Sequence, residues 1–339
     1  LISGEHPTLP VSELKAILES EGYSYQITEQ LTQVLLLEAD ANCVDVIEFR
    51  SALTRKCCEE VFNCKAERNK ILDSVTAESI SQFIGAGESF VVRVRKVKGV
   101  VPELVSVDLE RELGEKIFET VKGSRVDLTK PQKTFFGVVT DDRFVFGLKT
   151  AEIIPKPFSE RRPRKRPFFH PSSMQAKSAR AMVNLAQPRK GELVLDPFCG
   201  SSGMLVEAGL IGCRVAGFDA KPHMLKGGLK NLRHFGIDFE GLAIADARYP
   251  PVSKVDCIVT DPPYGRSAST LGTVTLNIVE DFLSVVGDIL PRGARICMAA
   301  PKTINLGQVG EKMGFKHMES HFVYVHRSLT REIVVFKKE

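Results

Sequence analysis

The 339-residue sequence contains no tryptophan and only five tyrosines. Asparagine and glutamine are sparse while lysine and glutamate are plentiful, a bias common in heat-adapted chains. No apolar run reaches the roughly 18 to 20 residues that a membrane-crossing helix needs, and the start carries no basic-then-apolar leader. A cytoplasmic protein with no membrane contact is the expectation. No CxxC pair recurs at zinc-site spacing and no histidine lies among Cys57, Cys58 and Cys64, so no metal is expected. Cys199, Cys213, Cys257 and Cys297 sit in apolar segments and read as buried thiols. A disulfide from Cys57 or Cys58 to Cys64 stays open, as does a free state.

Net charge is only +4, but its distribution is uneven. Residues 1–150 hold 19 basic against 24 acidic side chains, whereas residues 156–190 hold ten against one. A surplus confined to one short stretch suits a polyanion. Within it, Pro155, Pro157, Pro163 and Pro167 flank the run Arg161, Arg162, Arg164, Lys165 and Arg166. Prolines disfavour helix, so residues 154–170 read as an extended basic linker whose five cations contact backbone phosphates.

Periodicity divides the rest. Residues 1–65 read as a small α+β, ferredoxin-like domain: a helix capped by Ser12 and stopped by Gly22, two strands near 23–28 and 32–38, a helix near 44–53 and a strand near 56–64. Residues 66–153 form a second unit, with two short helices and then a strand at 90–97. That strand alternates apolar with basic residues, so Arg93 and Arg95 emerge together as candidates for RNA contact. A long helix at 107–121 and a hairpin of strands 134–139 and 143–148 follow. From 171 to 339 helix and strand alternate, the sign of an α/β domain with a mostly parallel sheet, closed by an antiparallel hairpin at 321–326 and 332–337.

Four of the expected parallel strands end in, or run into, an aspartate. Asp196 opens Asp-Pro-Phe-Cys-Gly-Ser-Ser-Gly, a turn between an apolar strand and a helix, where Phe198, Gly200 and Gly203 let a ligand approach the backbone. An acid at that strand tip repels a pyrophosphate and suits a cationic ligand such as S-adenosylmethionine. Asp219 ends the next strand, close to the spacing at which an acid reaches ribose hydroxyls. Asp246, followed by Ala247, ends the third and is placed to accept from an adenine amino group. Asp261-Pro-Pro-Tyr264 follows the strand at 255–260, at the edge where open α/β sheets bind ligands.

The Asp196 segment resembles the first motif of class I methyltransferases, although Ser202 replaces a frequent glycine. Asp261-Pro-Pro-Tyr264 resembles the signature of amino methyltransferases. The strand at 90–97, Leu113-Gly114 and the segment from Val126 to Pro131 resemble the THUMP domain, an RNA-binding module of tRNA-modifying enzymes. Taken along its length, the chain is similar to the archaeal tRNA guanosine-10 dimethyltransferases. The resemblance implies S-adenosylmethionine as cofactor, with His170 and Met174 as further pocket residues. It implies tRNA as partner and the 2-amino group of a guanine as acceptor, methylated once or twice. Asp261 and the Pro262 carbonyl would accept hydrogen bonds from that amine, Tyr264 would stack on the base, and Arg266 is placed to touch the substrate. A small activator protein stays open; otherwise a monomer is expected. Rival readings are an adenine or cytosine amino methyltransferase, which leaves the N-terminal part unexplained, and a non-catalytic RNA-binding subunit, against which the intact acids argue.

Overall fold

The computed structural model describes residues 1–264 and 271–339, without the side chains of 271–274, and divides into two compact units. One contains Leu1–Glu5, Tyr25–Glu48 and Thr54–Ile153. Its first strands, β1 (Tyr25–Leu31) and β2 (Val34–Ala39), pair as a two-stranded sheet. A five-stranded sheet follows, built from β3 (Lys56–Lys65), β4 (Ser89–Lys96), β5 (Arg125–Val126), β6 (Lys133–Thr140) and β7 (Arg143–Glu152) in the order β3-β7-β6-β4-β5. The helix Ser106–Thr120 sends Leu109, Leu113 and Ile117, spaced one helical turn apart, into a core with Phe90, Val92, Phe135 and Phe146. Val34 of β2 packs in a separate cluster with Phe136, Val138 and Val145.

The other unit contains His6–Ser24, Phe49–Leu53 and Ile154–Glu339. Its strands β8 (Leu193–Asp196), β9 (Arg214–Asp219), β10 (Gly241–Ile244), β11 (Cys257–Thr260), β12 (Arg295–Pro301), β13 (Phe315–His326) and β14 (Leu329–Lys338) form one sheet in the order β10-β9-β8-β11-β12-β14-β13. The first five are parallel and β14 and β13 antiparallel, as the alternation and the late hairpin imply. Strands β8 and β11 are short and nearly wholly buried, which is why they read as continuous apolar runs rather than alternating ones. One core holds Ala179, Met182, Val183, Met204 and Leu205 with Val194 and Val259. The second holds Phe218, Phe282, Leu283, Ile296 and Phe336. Among the described residues no helix is long and apolar enough to cross a membrane, and all eight cysteines are free thiols.

Two expectations are corrected. The first 65 residues do not close into one domain. Helix Leu9–Ser20, which starts at Thr8 and Pro10 rather than Ser12, belongs with the seven-stranded sheet, whereas β1, β2 and β3 belong to the other unit. Glu13 gives the reason. Its fully buried carboxylate accepts from Ser51 Oγ, the Ala52 and Leu53 amides and Asn184 Nδ2, all at 2.8–2.9 Å. No helix carrying so many hydrogen bonds to another element leaves it without cost. The basic linker is likewise not extended: it forms a short helix, Lys156–Glu160, and a 3-10 turn, Pro163–Lys165. Proline at the first turn of a helix is tolerated, and Pro157 and Pro163 use that allowance.

Candidate active site at the carboxyl edge of the parallel sheet

Adjacent parallel strands β9, β8 and β11 bring Asp219, Asp196 and Asp261 to the same edge. The Asp196 carboxylate, 2% exposed, accepts from Thr260 Oγ1 at 2.8 Å and from the Phe198 amide at 3.1 Å. Burial pushes its pKa from 3.8 to about 7, opposed by those hydrogen bonds and reinforced by the negative charges of Asp219 and Asp261. Asp219 accepts from the Gly200 amide at 3.0 Å and the Lys221 amide at 2.8 Å, and so ties the loop after β8 to the end of β9. Gly200 needs to be glycine: its φ is +49°, and a Cβ there would stand 3.3 Å from Met224 Cε.

Asp261, just past β11, is held differently. Tyr264 donates its hydroxyl to Asp261 Oδ1, and Arg331 Nη2 lies 3.3 Å from Oδ2. Arg331 also faces Tyr264, with Nε 3.3 Å from its hydroxyl and the guanidinium 5.6 Å from its ring centre. Burial raises the Asp261 pKa, while Arg331 and the tyrosine hydroxyl pull it down. Three carboxylates therefore share one edge, one beside a guanidinium. Their mutual repulsion is relieved by a cation, which is what the sulfonium and ammonium groups of S-adenosylmethionine supply, so the donor set fits that cofactor.

The other expected site residues make further contacts. Asp246 lies two residues beyond β10, and Arg248 occupies its carboxylate through Nη2 at 2.7 Å and its own amide at 3.0 Å. Ala247 and Met174 are buried in the packed cores. Phe198 meets Phe282 edge-on at 5.7 Å. His170 Nδ1 bonds Ser172 Oγ at 2.7 Å. Pro262 is buried beside Asp261. Arg266 lies outside the described residues.

The five linker cations divide. Arg161 makes a two-pronged pair with Glu207, at 2.8 and 3.1 Å, and Arg180 reaches the same carboxylate at 2.9 Å. Glu207 is fully buried, so it requires those partners. Arg166 is 5% exposed and donates Nε to the Arg161 carbonyl at 2.9 Å. Its Nη1 would lie 2.7 Å from a Cβ at position 203, so Gly203 makes room for a buried guanidinium. Arg161 and Arg166 are thus structural, and only Arg162, Arg164 and Lys165 remain exposed. In the other unit Arg95 is exposed, while Arg93 donates to the Val92 and Leu128 carbonyls and lies 3.8 Å from Glu110.

Sequence reading missed three polar residues. Arg331 is contributed by β14, 67 residues after Tyr264. Thr260 bridges the tips of β8 and β11. Asn231 is fully buried: it accepts from the Phe168 amide at 2.9 Å and donates to the Phe168 carbonyl at 3.0 Å and the Ser201 carbonyl at 2.9 Å. An amide needed inside an apolar helix face was the available signal, in the run Lys-Asn-Leu-Arg.

Comparison with known proteins agrees with this architecture. Residues 163–332 match the family model of the RMKL-like methyltransferase domain, and residues 65–149 that of the THUMP domain. The tRNA (guanine(10)-N2)-dimethyltransferase of Methanothermobacter thermautotrophicus is 41% identical over 340 residues, covering all of this chain and 98% of that protein. The protein of the same name from Methanocaldococcus jannaschii is 31% identical, with 100% and 99% covered. The crystal structure of TrmN from Thermus thermophilus superposes with a TM-score of 0.57 over 100% of this chain and 99% of that one, at 21% identity, a likeness of fold. With its THUMP and RMKL-like methyltransferase domains, the chain belongs to the tRNA (guanine(10)-N2)-dimethyltransferase family.

Proposed function

We propose that this enzyme, which transfers methyl groups from S-adenosylmethionine to the 2-amino group of the guanine at position 10 of tRNA, activates that amine with Asp261. A guanine amine is a poor nucleophile because its lone pair is delocalised into the ring. Hydrogen bonds from its two N–H groups to the Asp261 carboxylate and the Pro262 carbonyl draw the nitrogen towards tetrahedral and localise the lone pair. The Tyr264 hydroxyl now holds the place on Asp261 that the amine takes, and its ring turns to the flat face of the base. Arg331 favours the ionised form of Asp261, which accepts the hydrogen bond and then the proton released as the methyl group is gained.

Asp196 and Asp219 would hold the cofactor, the first offering negative charge to its amino group and the second accepting from ribose hydroxyls. When bound, the cofactor supplies an electrophilic methyl group on sulfur. The target guanine is paired in its stem and is flipped out to reach Tyr264. Arg162, Arg164 and Lys165 carry tRNA phosphates, and the THUMP domain takes a further part of the same molecule. We place the enzyme in the cytoplasm with its substrate, acting as a monomer.

The observation that carries this reading is a partly buried aspartate at the tip of β11, beside Arg331 and bonded by a tyrosine hydroxyl. The test is methyl transfer by the purified chain alone to tRNA transcripts with guanine or adenine at position 10, followed by nucleoside mapping. N2-methylated guanosine at position 10, absent from the adenine transcript, is expected. Label on another nucleoside would overturn the reading, and activity only after adding a cell extract would show that a partner protein is required.

A further inference from the structure

The unit that carries the candidate site also holds a cleft of about 560 Å³ unlike the carboxylate edge in chemistry. It is lined by Arg162, Arg164, Lys165, Phe169, Ser173 and Gln175 among others, with no acidic residue in its wall. We propose that this cleft binds one nucleotide of the substrate tRNA near the target, its base stacked on Phe169 and its phosphate among the three cations. The inference rests on the tRNA reading above and deepens it.

Three observations support it. The volume falls within the range of small-molecule sites and leaves room for a nucleotide. Arg164 and Lys165 have no ion-pair partner among the described residues, in contrast with Arg161, whose guanidinium Glu207 engages. Cations left unpaired in a concave site are available to an anion. Phe169 is 43% exposed, and it is exposed on a fixed support. The neighbouring Phe168 is clasped through both backbone groups by Asn231, and its ring lies so close to Gly227 that a Cβ there would stand 2.1 Å away. A rigid exposed ring beside cations is the arrangement that holds single-stranded bases, because every base has a face to stack.

The cleft is also joined to the loop after β8. Ser173, in its wall, bonds Ser201 Oγ at 2.8 Å, and Asn231 donates to the Ser201 carbonyl at 2.9 Å. A helix face of Gly227, Gly228 and Asn231 therefore supports both the aromatic segment and the loop: a Cβ on Gly228 would stand 2.3 Å from Ser202 Oγ. A nucleotide seated in the cleft is in this way held at fixed register to the cofactor loop, which a floppy basic linker could not achieve.

The test uses the full chain and a tRNA transcript. Phe169→Ala should raise KM for tRNA about tenfold or more, with Phe169→Trp restoring it, since stacking accepts any aromatic face. Arg164→Ala with Lys165→Ala should flatten the slope of log affinity against log salt by about 0.7 to 0.9 per lost phosphate contact. S-adenosylmethionine affinity measured without tRNA should stay at the wild-type value in both. An unchanged KM in Phe169→Ala overturns the stacked base even if the salt slope flattens, and parallel salt lines overturn the phosphate contact. Wild-type methylation of position 10 in the same assay separates these outcomes from failure of the functional reading itself.

Discussion

Replacing Arg331 should make the enzyme need a more alkaline solution. Partial burial of Asp261 favours its protonated form, and the guanidinium 3.3 Å from Oδ2 is the opposing charge. At that separation the attraction is about 1.3 kcal/mol with the dielectric of water and about 5 kcal/mol at an effective dielectric of 20. The side chains are only 14% and 16% exposed, so the true value lies above the lower bound. Even about 1.4 kcal/mol is a tenfold bias in a protonation equilibrium. In Arg331→Met the carboxylate that should accept the amine hydrogen bond is therefore depleted at neutral pH. The rate should fall tenfold or more there and recover as pH rises, while Arg331→Lys keeps the charge and most of the rate. Initial rates from about pH 6 to about pH 9, with cofactor and tRNA saturating, are the assay. Arg331 also contacts the Tyr264 ring, and loss of that contact alone predicts a drop that no pH restores. A pH-independent loss, or no loss, would refute the electrostatic argument.

Asp196 makes a second pH argument. Its folded pKa of about 7 lies above the ordinary 3.8, so between about pH 4 and 7 the native state holds a proton that the unfolded chain has lost. Stability therefore falls as pH rises through that window, and Asp196→Asn should be the more stable protein above pH 7, by up to about 4 kcal/mol. It should also bind S-adenosylmethionine more weakly; equal melting temperatures at pH 8 would count against the burial argument. Asp219→Ala should weaken S-adenosylmethionine by about tenfold or more, since charge-assisted hydrogen bonds are worth roughly 1.5–3 kcal/mol each, and calorimetry checks this. Glu207→Ala leaves Arg161 and Arg180 without their buried partner and should cost about 3–5 kcal/mol in thermal or denaturant unfolding, a loss that a merely exposed ion pair would not produce.

What could be read in the sequence was local. An apolar strand, a turn with glycine and proline, and a helix lie within about fifteen residues, so the loop after β8 and the Asp261 motif were visible as pattern. Asp246 was visible in the same way, but the pattern did not show its pairing with Arg248 two residues on. The basic stretch showed its charge but not its burial. Glu207 looks like an acid in an apolar helix, and nothing near it in sequence says that Arg161 and Arg180 fold over it. Arg331 was hidden for a topological reason: it reaches the site because β14 inserts antiparallel beside β12, with Arg331 opposite Pro301. The division of the first 65 residues was equally non-local, since Glu13 is satisfied by residues 51–53 and by Asn184.

Asp261 carries the proposed chemistry. Single-turnover methyl transfer from labelled S-adenosylmethionine to a tRNA transcript, for the wild type and for Asp261→Ala, measures its role directly, with cofactor affinity determined in parallel. Loss of a polar group aimed at the transition state should lower the rate by about a hundredfold or more, a far larger effect than any on cofactor affinity, which Asp196 and Asp219 sustain. Turnover of Asp261→Ala close to the wild-type rate would contradict the assignment.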